Sequence, residues 1–97
     1  MAASHIRLSN TWVRRRLKTL THRQLVVYLV LLTYRDATTC ECYPGITRLC
    51  EATGLSRSSV SLAINELADI GLIEIRRARW QTTARYANNV YTVKDPA

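Results

Sequence analysis

The side chains best suited to chemistry in this sequence are arginines, and eight of them fall into three groups. The groups are Arg14, Arg15 and Arg16 with Lys18; Arg57; and Arg76, Arg77, Arg79 and Arg85. A guanidinium group is planar and always charged, so it forms paired hydrogen bonds with phosphate oxygens and with the edge of guanine. The chain has 14 Lys+Arg against 7 Asp+Glu, a net charge of +7. This excess favours a nucleic acid as the partner, ahead of an acidic protein or an anionic membrane.

Other kinds of chemistry find little support in these 97 residues. The sequence has no glycine-rich phosphate loop and no recognisable nucleophile–base arrangement, so we expect neither an enzyme nor a small-molecule substrate. Its longest apolar run, residues 25–32, is far too short to span a bilayer, so we expect no membrane partner. A hydrophobic content of 47% excludes intrinsic disorder. The length predicts a single small domain.

The cysteines are Cys40, Cys42 and Cys50. An odd number argues against a secreted disulfide framework and favours a reducing cytoplasm. Together with His5 and His22 they match no usual zinc-ligand spacing, so we expect no metal and no cofactor. A redox switch at an exposed Cys40 or Cys42 remains an alternative.

The first part of the chain predicts two helices. A short helix is expected over residues 10–17, with Asn10 as its N-cap. Thr21 and Gln24 have the spacing of a capping box, which predicts a second helix that begins there and runs to about Arg35. Apolar residues occur on nearly every face of this second helix. We therefore expect it to be packed from several sides, including by another subunit.

The rest of the chain predicts two further helices and a hairpin, after a loop with a short strand at residues 42–43. Pro44 suits the first turn of a third helix, which runs to about Ala52 and ends at Gly54. The remaining elements are a cap at Ser56, a helix over 57–70, a stop at Gly71, strands over 72–80 and 86–93, and a turn at 81–85.

Residues 46–65, ITRLCEATGLSRSSVSLAIN, have the internal spacing of a DNA-binding helix-turn-helix. The small residue Cys50 stands where two helices approach, Gly54 makes the turn, and Val60 wedges between the helices. The buried side would be completed by Leu49, Leu55 and Ile64.

Residues 44–91 resemble the winged helix-turn-helix domains of bacterial transcription regulators and of plasmid or phage replication proteins. The resemblance is carried by GLSRSSVSLAINELADIGLIEIRRARW at 54–80 and by NVYTV at 89–93, and it covers about residues 20–93. It implies an α+β fold with a three-helix core, a C-terminal β-hairpin wing and an extra N-terminal segment. The expected division is an N-terminal arm or short helix at 1–20, which is a candidate dimerisation element, the domain at 21–93 and a tail at 94–97.

Two departures from the family pattern stand out. The wing tip has neither Gly nor Asn, and Leu62 occupies a position of the recognition helix that is often basic in relatives.

The resemblance implies that the helix after Ser56 docks into the major groove of DNA. With Val60, Ile64 and Leu67 turned inward, helical spacing places four side chains outward near the helix start: Arg57, Ser58, Ser61 and Asn65. Arg57 is the candidate for paired hydrogen bonds to guanine. The candidates for phosphate or base-edge contacts are the serines Ser56, Ser58, Ser59 and Ser61.

The two other basic groups are further candidates for phosphate contacts. The wing would use Arg76, Arg77, Arg79 and Arg85, with Trp80 and Tyr86 flanking its tip; the alternative is a solvated hairpin that keeps the protein soluble. For Arg14, Arg15, Arg16 and Lys18, phosphate contact and a dimerisation helix are equal alternatives.

Two classes of function follow. In the first, the protein is a cytoplasmic, nucleoid-associated regulator that binds double-stranded DNA as a homodimer and acts as a transcriptional repressor, or else a replication-initiation or partition protein of a plasmid or phage. In the second, the winged helix is a protein–protein interaction module with an acidic partner.

Overall fold

The computed structural model describes residues 8–77 and 89–94. Within these ranges the chain forms four helices and three strands. They are α1 (Asn10–Arg16), α2 (His22–Tyr34), β1 (Glu41–Cys42), α3 (Ile46–Thr53), α4 (Arg57–Asp69), β2 (Ile73–Arg77) and β3 (Asn89–Val93). The three strands form one antiparallel sheet in the order β1–β3–β2.

The N-terminal helix α1 packs on the core through its single tryptophan. Trp12 is only 4% exposed, and its ring stacks on Tyr28 of α2 with 5.5 Å between the ring centroids. The predicted cap at Asn10 is wrong. Ser9 is the N-cap instead, because its hydroxyl accepts a hydrogen bond of 3.0 Å from the backbone N–H of Trp12.

Helix α2 begins with the predicted capping box. The Thr21 hydroxyl accepts from the backbone N–H of Gln24 at 3.2 Å, and the Gln24 carbonyl oxygen accepts from the N–H of Thr21 at 3.0 Å. The side of α2 that carries Val27, Tyr28 and Leu31 is fully buried. This helix is therefore the centre of the core, and it contacts α3, α4 and β3.

Glycines end both helices of the helix-turn-helix, as predicted. Gly54 has a φ of +74° and Gly71 a φ of +83°, in the left-handed region that a side chain disfavours. After α4, the N–H of Leu72 donates to the Leu67 carbonyl at 3.0 Å and the N–H of Gly71 donates to the Ala68 carbonyl at 3.1 Å. This pair of bonds is a Schellman motif, which satisfies the last carbonyls of the helix.

The predicted place of Pro44 inside the third helix is wrong. Gly45 is the N-cap of α3 and Ile46 its first helical residue, so Pro44 lies before the cap, where it is buried. The extended φ and ψ of Gly45, −72° and 163°, are those of a cap residue.

The sheet packs one face on the helices and leaves the other face polar. Tyr91 of β3 lies opposite Cys42 on one side and Ile75 on the other, and Tyr91 is 2% exposed. Within the predicted hairpin strands, residues 73–77 and 89–93 form β2 and β3, and residues 78–80 and 86–88 lie outside the described ranges. Strand β1 falls at 41–42 instead of 42–43. The predicted wing turn at 81–85 lies outside the described residues.

Candidate nucleic-acid interface

The two helices of the helix-turn-helix pack against each other through a small apolar cluster. Leu49 of α3 and Val60 of α4 are fully buried, and Ile64 is 4% exposed. Cys50 and Leu55 are half-buried and pack against this cluster. The predicted burial of Leu49, Val60 and Ile64 is thus confirmed, whereas Leu55 is only half-buried. The buried residues fix which face of α4 turns outward.

The outward face of α4 is polar near its N-terminus. Arg57, Ser58, Ser61 and Asn65 are all exposed, whereas Val60, Ala63, Ile64 and Leu67 face the core. The helix begins at Arg57, so these four side chains belong to its first three turns. They are the groups that a nucleic acid at this end of α4 would meet.

The remaining predicted serines form the cap of α4. The Ser56 hydroxyl accepts from the backbone N–H of Ser59 at 3.2 Å and donates to the Ser59 hydroxyl at 3.0 Å. Ser58 lies within 3.3 Å of the Ser56 hydroxyl. Ser56 is exposed and Ser59 is half-buried. The cap therefore holds three hydroxyl groups together at the positive end of the helix dipole.

Arg57 reaches back to the start of α3. Its guanidinium donates a hydrogen bond of 3.3 Å to the hydroxyl of Thr47, and both residues are exposed. The next residue on α3, Arg48, is exposed as well. Thr47 and Arg48 were not among the candidate residues predicted from the sequence. Their position in the first turn of α3, beside the start of α4, was the available signal.

The wing contributes one described guanidinium. Arg76 of β2 forms an ion pair of 3.2 Å with Glu41 of β1, across the outer face of the sheet, and its side chain is 68% exposed. Lys94 pairs with Glu74 at 3.5 Å on the same outer face. The backbone of Arg77 continues β2. The predicted contacts Arg79 and Arg85, and their neighbours Trp80 and Tyr86, lie outside the described residues.

The N-terminal basic group lies on α1 and just beyond its end. Arg14, Arg15 and Lys18 are exposed, and Arg16 is half-buried. Three arginines in the last turn of α1 interact favourably with the negative end of that helix dipole.

An acidic groove borders the basic surface. It is open, has a volume of about 800 Å³, and is lined in part by Asp36, Glu41 and Glu51 together with Thr47 and Arg48. Backbone N–H groups of Thr39 and Thr38 donate to the Asp36 carboxylate and lower its pKa. Carboxylates repel phosphate, so a nucleic acid would avoid the part of the groove that Asp36, Glu41 and Glu51 line.

The cysteines are free thiols. Cys42 is only 3% exposed and its thiol donates to the Leu31 carbonyl at 3.8 Å, so the sequence-based alternative of an exposed, redox-active Cys42 is wrong. Burial raises the pKa of the Cys42 thiol to about 11, and the charge of Arg35 offsets part of the rise. Cys40 is half-buried. Among residues 8–77 and 89–94, no three His, Cys, Asp or Glu side chains form a group able to hold a metal ion.

Helices α2, α3 and α4, followed by the antiparallel strands β2 and β3, define a winged helix-turn-helix. Residues 18–73, more than half of the chain, match the family model described as a helix-turn-helix domain. The chain therefore belongs to the helix-turn-helix domain family, which is typically DNA-binding and non-enzymatic. No curated protein matches the chain. None of the helices in the described ranges has the length and apolar character needed to cross a membrane.

Proposed function

We propose that this protein binds specific sequences of double-stranded DNA as a homodimer and acts as a transcriptional repressor. The observation that carries the proposal is the division of α4 into a buried apolar face and an exposed face with Arg57, Ser58 and Asn65 near the helix start. An α-helix with such a face fits the width of the major groove.

Contacts to bases would come from the first three turns of α4. The guanidinium of Arg57 would give up its hydrogen bond to Thr47 and donate instead to the N7 and O6 acceptors of a guanine. Asn65 is suited to paired hydrogen bonds with adenine, and the small hydroxyl groups of Ser58 and Ser61 would approach base edges or phosphates. The N–H groups of the capped helix start, near Ser56 and Ser59, favour a phosphate.

Contacts to the phosphate backbone would come from both sides of α4. Thr47 and Arg48 on α3 would lie along one strand, and the wing arginines Arg76, Arg77, Arg79 and Arg85 would follow the other strand or enter the minor groove. The group Arg14, Arg15, Arg16 and Lys18 would hold flanking phosphates or support the dimer. Such contacts set the affinity and its salt dependence without selecting a sequence.

The small size of the site that one recognition helix covers supports a dimer. One recognition helix covers only a short half-site, and two copies on a repeat multiply the specificity. A large apolar side chain in the N-terminal segment is available for the contact, since Leu17 is 54% exposed. A dimer that occupies a promoter would exclude the polymerase and so repress transcription.

The test is selection of bound sites from a random duplex library at near-physiological salt with competitor DNA. An enriched inverted repeat, with half-site centres about 10 base pairs or a multiple apart, supports a dimeric repressor. Enriched direct repeats would favour a replication or partition protein instead. Absence of any enriched sequence, with binding that vanishes as salt rises, would overturn specific DNA binding and favour an interaction module for an acidic protein.

A further inference from the structure

One side chain on the outward face of α4 has a chemistry unlike that of its neighbours. Leu62 is 46% exposed and lies one turn after Ser58 and three residues before Asn65, so the three share one side of the helix. Ser58 and Asn65 are polar and exposed. Leu62 is therefore a branched apolar group within the surface that we propose faces DNA.

Packing inside the domain does not explain why an apolar residue stands at position 62. The core side of α4 is formed by Val60, Ile64 and Leu67, each at most 4% exposed, and Leu62 points away from it. Ser58 and Ser61 have shorter side chains, so Leu62 projects beyond them. If the major groove of a DNA duplex approached this face of α4, Leu62 would be the first apolar side chain to contact it.

The major groove of B-DNA presents one apolar group on its base edges, the C5-methyl group of thymine. The other base-edge groups are hydrogen-bond donors and acceptors, and a leucine placed against them would remove their water without supplying a partner. We propose that Leu62 determines specificity by packing against the C5-methyl group of a thymine. This inference rests on the proposed docking of α4 in the major groove.

The consequence is a preference at one base pair that needs no hydrogen bond from the protein. Leu62 favours thymine by burying its methyl group and disfavours cytosine, which has no C5-methyl group at that edge. Asn65 or Ser58 would contact the neighbouring base pairs. Specificity at the Leu62 position is thus carried by shape and apolar contact alone.

The experiment replaces thymines by deoxyuridine, one at a time, in the duplex that the library selects. Uracil keeps every hydrogen-bonding group of thymine and lacks only the methyl group. For the wild-type protein we expect the dissociation constant to rise about fourfold at one position, the effect of one buried methyl group. In Leu62→Ala, the same replacement should leave the dissociation constant unchanged, because the partner of the methyl group is gone.

Two controls separate this effect from general damage. Ile70→Ala removes an equally exposed apolar side chain from the C-terminal end of α4, where it is 44% exposed, and should respond to deoxyuridine as the wild type does. When the thymine is replaced by cytosine, changing that cytosine to 5-methylcytosine should restore affinity about fourfold in the wild type but not in Leu62→Ala, because the methyl group returns to the same edge.

The outcomes distinguish this inference from the function on which it rests. A wild-type protein that selects a sequence but tolerates deoxyuridine at every thymine would overturn the role of Leu62 and leave DNA recognition intact. The same holds if Leu62→Ala keeps the wild-type sensitivity. A protein that selects no sequence would overturn the proposed function, and this inference with it.

Discussion

The phenol hydroxyl of Tyr28 donates a hydrogen bond of 2.7 Å to the backbone carbonyl oxygen of Lys94, 66 positions along the chain. About two turns later, at the C-cap of α2, Arg35 donates to the carbonyl oxygen of Val93, the neighbouring residue, at 2.9 Å. The N–H of Lys94 in turn donates to the Leu72 carbonyl at 3.0 Å. Helix α2 therefore holds the end of β3, and with it the base of the wing.

The first prediction concerns this connection. Tyr28→Phe should lower the free energy of unfolding by about 0.5–1.5 kcal/mol, because the Lys94 carbonyl loses a partner that water cannot fully replace. Urea unfolding followed by circular dichroism measures the change. The matched control is Tyr34→Phe on the same helix, where the ring is 39% exposed and the change should stay within about 0.5 kcal/mol. Equal effects of the two variants would contradict the role given to Tyr28.

The second prediction concerns the end of the recognition helix. Gly71→Ala should destabilise the protein by about 1–2 kcal/mol, because its φ of +83° is unfavourable for any residue with a β-carbon. A β-carbon at this position would meet no atom within 4 Å, so the cost is in the backbone and not in packing. Gly71→Asn should cost less, since asparagine tolerates this conformation. Thermal unfolding of both variants checks the order, and a neutral Gly71→Ala would refute it.

The third prediction separates base contact from phosphate contact. Arg57→Ala should weaken binding to the selected site by about 1–3 kcal/mol and relax the preference at one base position. Arg77→Ala should weaken binding to every duplex similarly and reduce the slope of log affinity against log salt by about one unit. Fluorescence anisotropy titrations over a salt series measure both effects. Equal losses on all sequences for the two variants would show that Arg57 contacts phosphate and not a base.

The fourth prediction concerns the ion pair between Glu41 and Arg76. Both side chains are partly exposed, at 38% and 68%, so Glu41→Gln should change stability by less than about 1 kcal/mol. It frees the guanidinium for phosphate, so duplex affinity at low salt should rise about two- to fivefold. Glu74→Gln on the same sheet face is the control, because it removes the same charge beside Lys94. A similar gain from both variants would assign the effect to net charge and not to release of Arg76.

The fifth prediction concerns alkaline pH. Burial raises the pKa of the Cys42 thiol to about 11, so the folded chain keeps a proton that the unfolded chain releases. The stabilisation is complete below about pH 9 and is lost as the pH approaches about 11. Burial raises the pKa of Tyr91 as well, which adds to the same fall in stability. Urea unfolding between pH 8 and pH 11 should show a shallower fall for Cys42→Ala than for the wild type, and parallel curves would contradict this assignment.

The helix-turn-helix itself could be predicted because its signals are local. A capping box at Thr21 and Gln24, a serine cap at Ser56, and glycines at 54 and 71 each act through residues within one turn. The start of α1 shows the limit of such reasoning. Ser9 and Asn10 are both good cap residues, and only the bond from the Trp12 N–H to Ser9 decides between them.

The residues of the candidate interface were likewise predictable only in part. Helical spacing predicted that Arg57, Ser58, Ser61 and Asn65 turn outward when Val60 turns inward, since the period of the helix relates the two sets. Periodicity within α4 carried no information about Thr47, because the bond from Arg57 joins two helices across the turn. The exposed Leu62 was visible in the sequence as a departure from the family pattern, and its exposed position on α4 gives that departure a chemical meaning.

The sequence by itself determined the order of the helices, the turn between α3 and α4, and the excess of arginine, because these depend on neighbouring residues and on composition. The tertiary structure decided the pairing of β1 with β3 and the stacking of Trp12 on Tyr28. It also decided the hydrogen bond from Tyr28 to Lys94 and the ion pair between Arg76 and Glu41. Each of these joins residues far apart in the chain, and such contacts form only when the whole core has closed around them.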